Sequence, residues 1–133
     1  QQIRKFNADI LLIATGWAAS ERLIVLGGRA IEGLELAQSY NRADQSERYL
    51  AFREAYRSQF QQEPDYASVA GYDAATALFA GLAARDGAQP LKEALLNLGE
   101  VQGLQQDIGF NEYGDTRRRG FFAVVKDGRF VMQ

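Results

Sequence analysis

The chain has 133 residues, 47% apolar and 24% charged, with a formal net charge of −2, the size and balance of one ordinary soluble globular domain with a real core. It holds neither Cys nor His. That excludes thiol and imidazole catalysis, a Ser-His-Asp triad and the usual zinc sites, while the mild acidity argues against a nucleic-acid partner. No apolar run approaches the roughly 20 residues that span a bilayer. No signal-peptide pattern opens the chain, so a targeting segment is expected to have been removed or to lie outside this sequence.

Gln1 to Ala8 is polar, with Ile3 and Phe6 three apart, and reads as the tail of a helix or as a loop. Ile10 to Ala14 is then an unbroken apolar run closed by Thr15-Gly16. A half-exposed strand would alternate, so this run predicts a central parallel strand covered on both faces. Ligands of open parallel sheets sit beyond the carboxyl ends of the strands, which puts Thr15, Gly16 and Trp17 where a ligand would be met. The same residues also fit a plain buried strand with a turn and a core Trp. Ser20-Glu21 can open a short helix with Leu23, Ile24 and Leu26 inward, ended by Gly27-Gly28. Glu32-Gly33 introduces a second strand, Leu34 to Ser39, in which Leu34 and Leu36 alternate with Glu35. Strand, helix, strand is the pattern of an α/β sheet.

Asp44-Gln45-Ser46-Glu47 has the form of a capping box. The helix after it carries Tyr49, Phe52, Tyr56 and Phe60 as one aromatic stripe, a core face before it is a binding platform. Glu63-Pro64-Asp65 breaks that helix. A second helix follows over about Tyr66 to Arg85, with Val69, Tyr72, Thr76, Phe79 and Leu82 or Ala83 on its expected buried side. Gly71 and Gly81 are small positions that let a neighbour lie close. Asp86-Gly87 stops it. Pro90 starts a third helix with Leu91, Ala94, Leu95 and Leu98 inward and Gly99 at its end.

Glu100 to Gln106 reads as a polar loop. Asp107, Asn111 and Asp115 tempt a calcium reading, but their spacing of four fails the alternate-ligand pattern such a loop needs. Arg117-Arg118-Arg119 reads as an exposed edge or loop that could hold an anion. Phe121 to Lys126, Asp127-Gly128 and Arg129 to Met132 form a hairpin, with Asp-Gly as the turn. The glycines at 27, 28 and 33 make no dinucleotide fingerprint or P-loop. No internal repeat is present, and no carboxylate pair is placed for acid-base work.

Three stretches together resemble a known family. ATGWAASERLIVLGGRAIEGLELAQSY (Ala14 to Tyr40) is similar to a late segment of the type I periplasmic solute-binding proteins of the branched-chain amino-acid receptor class. FREAYRSQFQQEPDYASVAGYDAATAL (Phe52 to Leu78) and GFNEYGDTRRRGFFAVVKDGRFV (Gly109 to Val131) continue the match in order. The resemblance implies an α/β, partial type I (Venus flytrap) fold: a parallel sheet flanked by helices, ending in a C-terminal β-hairpin. These receptors have two lobes and about three times this length, and they clamp ligand at a hinge. By analogy, about 8–60 and 107–133 belong to the second lobe and the helices of about 65–100 to the first. The first-lobe strands would lie outside this sequence. Apolar helix faces would then need cover, from a longer protein or from a dimer or swapped assembly.

The resemblance further implies a non-catalytic, periplasmic or extracytoplasmic protein without cofactor or metal. It would bind a small polar ligand such as an amino acid for ABC-type uptake or sensing, with a transporter permease as partner. Thr15, Gly16, Trp17, Ser39 and Tyr40 are the ligand-binding candidates. Where amino-acid-binding members carry a carboxylate for the ligand ammonium, this chain has Gly16 followed by Trp17, which could stack on a flat or apolar ligand. That departure keeps open an envelope protein-interaction role, with a peptidoglycan-synthase activator as the analogy and a degenerate pocket. Tyr72-Asp73-Ala74 matches the family but reads as helix packing.

Overall fold

The computed structural model describes residues 1–133. In chain order the elements are α1 (Gln2–Phe6), β1 (Ile13–Thr15), α2 (Glu21–Gly27), β2 (Glu35–Gln38), α3 (Glu47–Phe60), α4 (Tyr66–Ala84), α5 (Leu91–Asn97), β3 (Val101–Gln102), β4 (Asp107–Ile108), β5 (Phe121–Lys126) and β6 (Arg129–Met132). Tight 3₁₀ turns occupy Gly16–Ala18 and Gly28–Ile31. The chain forms two compact units, one of residues 1–43 with 120–133 and the other of residues 44–119.

The first unit is a four-stranded sheet in the order β1-β2-β5-β6. β1 and β2 run parallel, with Thr15 opposite Ala37, and the β5–β6 hairpin adds antiparallel to β2, with Gln38 opposite Phe121. Alternation in β2 sets which side is dry. Leu34 and Leu36 point to one face and join Ala19, Ile31 and Val125 in a core, against which Leu23 and Ile24 of α2 pack. The Ser20 hydroxyl caps α2 by accepting from the Leu23 amide at 3.2 Å, as the sequence predicts. Asp127 and Gly128 both have positive φ, 51° and 69°. That is the turn whose twist matches a two-residue hairpin.

Two expectations fail in this unit. The apolar run at Ile10 to Ala14 is not a central strand: β1 covers only Ile13–Thr15 and lies at the sheet edge. Ile13 is 71% exposed, and Leu11, Phe122 and Val131 are also exposed. A continuous apolar run signals cover on both faces, but within this chain only the α2 face of the sheet is covered. Leu26, expected inward, is exposed for a related reason: α2 has only 7 residues and one flank on the sheet.

The second unit is helical with a two-stranded ribbon of β3 and β4. Ser46, not Asp44, caps α3, accepting from the Tyr49 amide, while the Asp44 carboxylate accepts from the Ser46 amide. The aromatic stripe forms a stack: Tyr49 is buried, Phe52 meets Tyr56 at 5.8 Å and Tyr56 meets Phe60 at 4.6 Å between centroids. Phe52 also meets Tyr72 of α4 edge-on at 5.1 Å. Asp65 and Ser68 form a reciprocal capping box at the start of α4. Gly81 is small for a reason, since a Cβ there would stand 2.6 Å from Leu95 of α5. Gly71 faces open space, so the close-packing reading fails there.

The buried stripe of α4 is Val69, Asp73, Ala77 and Gly81. Of the expected stripe only Val69 is on it, while Tyr72, Phe79 (67%) and Leu82 are exposed. Gly81 marks the side that lies against α5, and of the bulkier apolar stripe beside it Tyr72 meets Phe52 while Phe79 and Leu82 stay open. With 19 residues, α4 also meets the length and composition of a membrane-crossing helix, contrary to the expectation that no segment does. Its buried Asp73 and its packing on α5 place it instead among the helices of this unit.

Candidate functional site

The parallel pair positions the residues singled out from the sequence. At the carboxyl end of β1 the chain turns at Gly16–Ala18, alongside the end of β2. Gly16 lies so close to β2 that a Cβ would stand 2.9 Å from the Ala37 carbonyl oxygen and 3.4 Å from Gln38 Cα. Only a residue without a side chain lets the two strand ends meet this way. The turn therefore presents Trp17 outward, 81% exposed, next to the exposed Thr15. From β2 come Ser39, half-buried, and Tyr40, buried. Thr15, Gly16 and Trp17 thus share the strand-end region with Ser39 and Tyr40, and Trp17 is a surface indole, not a core one.

Two residues of this region were not singled out from the sequence. Arg42 ties the segment after β2 back to the turn after β1. Its guanidinium donates to Glu21 Oε1 at 2.8 Å and to the Ala19 carbonyl at 2.6 Å, and it lies 4.6 Å from the Phe130 ring centroid and 5.5 Å from that of Tyr40. Nothing in the local pattern marks it. Gln38 is the other: it continues the inward phase of Leu34 and Leu36, and its side-chain amide is buried without a hydrogen-bond partner in the protein. A polar residue in an apolar phase is a signal the sequence did carry.

In the second unit the basic run is not a plain exposed edge. Arg118 forms an ion pair with Asp73 at 3.0 Å, Arg118 being 20% exposed and the Asp73 side chain only 2%. The other Asp73 oxygen accepts from the Leu104 amide at 2.7 Å. Asp73 is thus a packing residue, as expected, with a charge partner that sequence order could not reveal. Asn111, in the stretch with the calcium-like spacing, accepts from the Tyr113 and Asp115 amides. Its oxygen is a turn-former.

The periplasmic binding protein family model matches residues 1–129. The chain belongs to this family. Among solved structures it is similar to the leucine-binding protein LivK of Thermotoga maritima, with a TM-score of 0.84 and 26% identity over 99% of this chain and 39% of that one. It is also similar to an ABC-transporter substrate-binding protein of Desulfitobacterium hafniense solved with Leu, with a TM-score of 0.81 and 28% identity over 98% and 37%. A solute-binding protein of R. palustris in complex with benzoate shares the fold, with a TM-score of 0.78 at 19% identity over 98% and 37%. No curated protein sequence matches the chain.

This periplasmic binding protein chain therefore spans about two fifths of the length of the solved relatives. The partial type I fold implied by the sequence resemblance is the one observed. Its sheet is mixed, with one parallel pair and the C-terminal hairpin.

Proposed function

We propose that this chain is part of an extracytoplasmic receptor that binds a small polar ligand, such as an amino acid, without catalysis, for ABC-type uptake or sensing. One observation carries the reading: an indole stands exposed on the turn that closes the parallel strand β1, where ligands of such sheets are met. Thr15, Gly16, Trp17 and Ser39 line the binding surface in this proposal, and Tyr40, the remaining candidate, is buried and offers no surface of its own. Trp17 offers an apolar face, while the Thr15 and Ser39 hydroxyls supply polar atoms. The leucine named with two relatives supports an amino-acid ligand, and a transporter permease is the partner this role requires. The reading also assigns about 8–60 and 107–133 to one lobe and about 65–100 to the other. Titration calorimetry of the full natural chain against amino acids and small carboxylates tests it. Saturable heat with at least one compound is expected. Silence across the panel, with no thermal shift, removes the reading.

A second reading rests on Gly16. The Ala37 carbonyl leaves no room there for the carboxylate that would meet a ligand ammonium. That favours an envelope protein-interaction module with a degenerate pocket. Capture of an envelope enzyme by the full natural chain, with no small-molecule binding, would select it.

A further inference from the structure

We infer that Arg42 is the positioning residue of the strand-end surface: it fixes the Gly16–Ala18 turn, and with it the Trp17 indole, in the arrangement that meets a ligand. The inference rests on the receptor reading and names a residue outside the binding surface that sets its affinity.

An indole 81% exposed has little packing of its own with which to hold its turn. Backbone closes the turn, the Ala19 amide donating to the Gly16 carbonyl at 3.0 Å. The carbonyl of that same Ala19 is held by Arg42, which donates to it at 2.6 Å and, through its other terminal nitrogen, to Glu21 Oε1 at 2.8 Å. One planar fork thus spans the residue that closes the turn and the first residue of α2. Two rings flank the fork, with the guanidinium carbon 4.6 Å from the centroid of Phe130 on β6 and 5.5 Å from that of Tyr40. Aromatic faces attract a cation held this way. Arg42 itself comes from a stretch, 39–46, that lies in neither helix nor strand, so the fork ties that stretch to the turn.

Two features separate this role from plain stability and from ligand contact. The Arg42 Nε is buried with no hydrogen-bond partner in the protein, and an unmade bond offsets part of what the other two contribute. An apolar side chain of similar length would lie on the Phe130 and Tyr40 rings without that loss. Both terminal nitrogens are committed within the chain, so Arg42 acts on a ligand through Trp17 and not by touching it. A turn released from the fork holds the indole in place in only a fraction of molecules, and apparent affinity falls by that fraction. One hydrogen bond from a charged group biases such an arrangement by about tenfold or more.

The test uses the full natural chain labelled with 5-fluorotryptophan, the Trp17 fluorine signal being assigned by its absence in Trp17→Phe. Ligand-free Arg42→Met is expected to show that signal shifted or split, and to bind L-leucine at least about tenfold more weakly than wild type by calorimetry. Arg42→Lys keeps the charge but not the fork, and is expected to fall between the two. Asp65→Ala loses the cap of α4 and serves as the destabilised control, with the Trp17 signal and the leucine affinity of the wild type. Either readout unchanged in Arg42→Met overturns the inference. The same changes in Asp65→Ala also overturn it, since lost stability alone would then account for them. If Arg42→Met does not fold, Arg42→Lys carries both readouts. A wild type that binds neither leucine nor any compound of the amino-acid and small-carboxylate panel defeats the receptor reading, while the Trp17 signal still decides whether Arg42 sets the turn.

Discussion

Gly16 and Ala37 approach so closely that no side chain fits between the end of β1 and the β2 backbone. Gly16→Ala would put a methyl group 2.9 Å from the Ala37 carbonyl oxygen, and backbone cannot yield as a flexible side chain can. Overpacking of this kind is expected to destabilise by about 1–3 kcal/mol. Urea unfolding of the variant should show an earlier midpoint with an unchanged slope. An unchanged midpoint would mean that the turn can move away.

The Asp73–Arg118 pair is worth most as a pair. Removing Arg118 leaves a carboxylate 2% exposed with only the Leu104 amide to hold it. Breaking a buried pair by deleting one partner is strongly destabilising. Arg118→Met is expected to lose about 3 kcal/mol, the lower end of that range, because a fifth of the Arg118 side chain still meets water. Asp73→Asn combined with Arg118→Met should recover part of this in a double-mutant cycle. Additive losses would show the two side chains to be uncoupled.

Asp65 caps α4 and makes that cap pH-dependent. Partial burial pushes its carboxyl up, but the hydrogen bonds from the Ser68 amide and hydroxyl outweigh this and hold it below the ordinary value. A carboxyl lowered in the folded state contributes stability that is full above its unfolded value, about 4, and is lost as pH falls through the folded value. Asp65→Ala is therefore expected to cost about 1 kcal/mol at pH 7. That difference should shrink progressively below about pH 4 as the wild-type carboxylate takes up its proton. A difference independent of pH would separate the cap from the charge.

Exposed apolar surface on both units predicts association of the 133-residue chain when it is produced alone. α4 shows Phe79 and Leu82, and the sheet of the other unit shows Ile13 and Phe122. Surfaces of this kind are rarely left open to water. Light scattering is expected to give a mass above the 14.8 kDa of one chain, falling toward it in Phe79→Ser combined with Leu82→Ser. A monomer at micromolar concentration contradicts the prediction.

Local chemistry was legible wherever the signal was local. The Ser20 cap, the Glu63-Pro64-Asp65 break and the Asp127-Gly128 turn all depend on residues a few positions apart. Ser46 displaced Asp44 as the cap of α3 because both carry suitable oxygens two residues apart. The β3–β4 ribbon was missed because two-residue strands carry no period to read. The misreadings of Ile10 to Ala14 and of the α4 stripe share a cause. Apolar pattern reports what a residue needs as cover, and within this chain Ile10, Leu11, Ile13, Phe79 and Leu82 remain exposed. At the candidate site, the exposed Trp17 could be placed from the strand-end rule. Arg42 could not, since its partners lie 21 and 23 residues away.

The exposed indole gives the most direct test of the account. Trp17 is the only Trp of the chain, so its fluorescence reports on the proposed surface, and Trp17→Phe in the full natural chain isolates its share of the signal. Titration with L-leucine is predicted to give a saturable blue shift or intensity change in the wild type that disappears in Trp17→Phe, with affinity reduced. Leucine binding seen by calorimetry with no change in the Trp17 signal, and with full affinity in Trp17→Phe, would contradict the placement of the ligand at the end of β1.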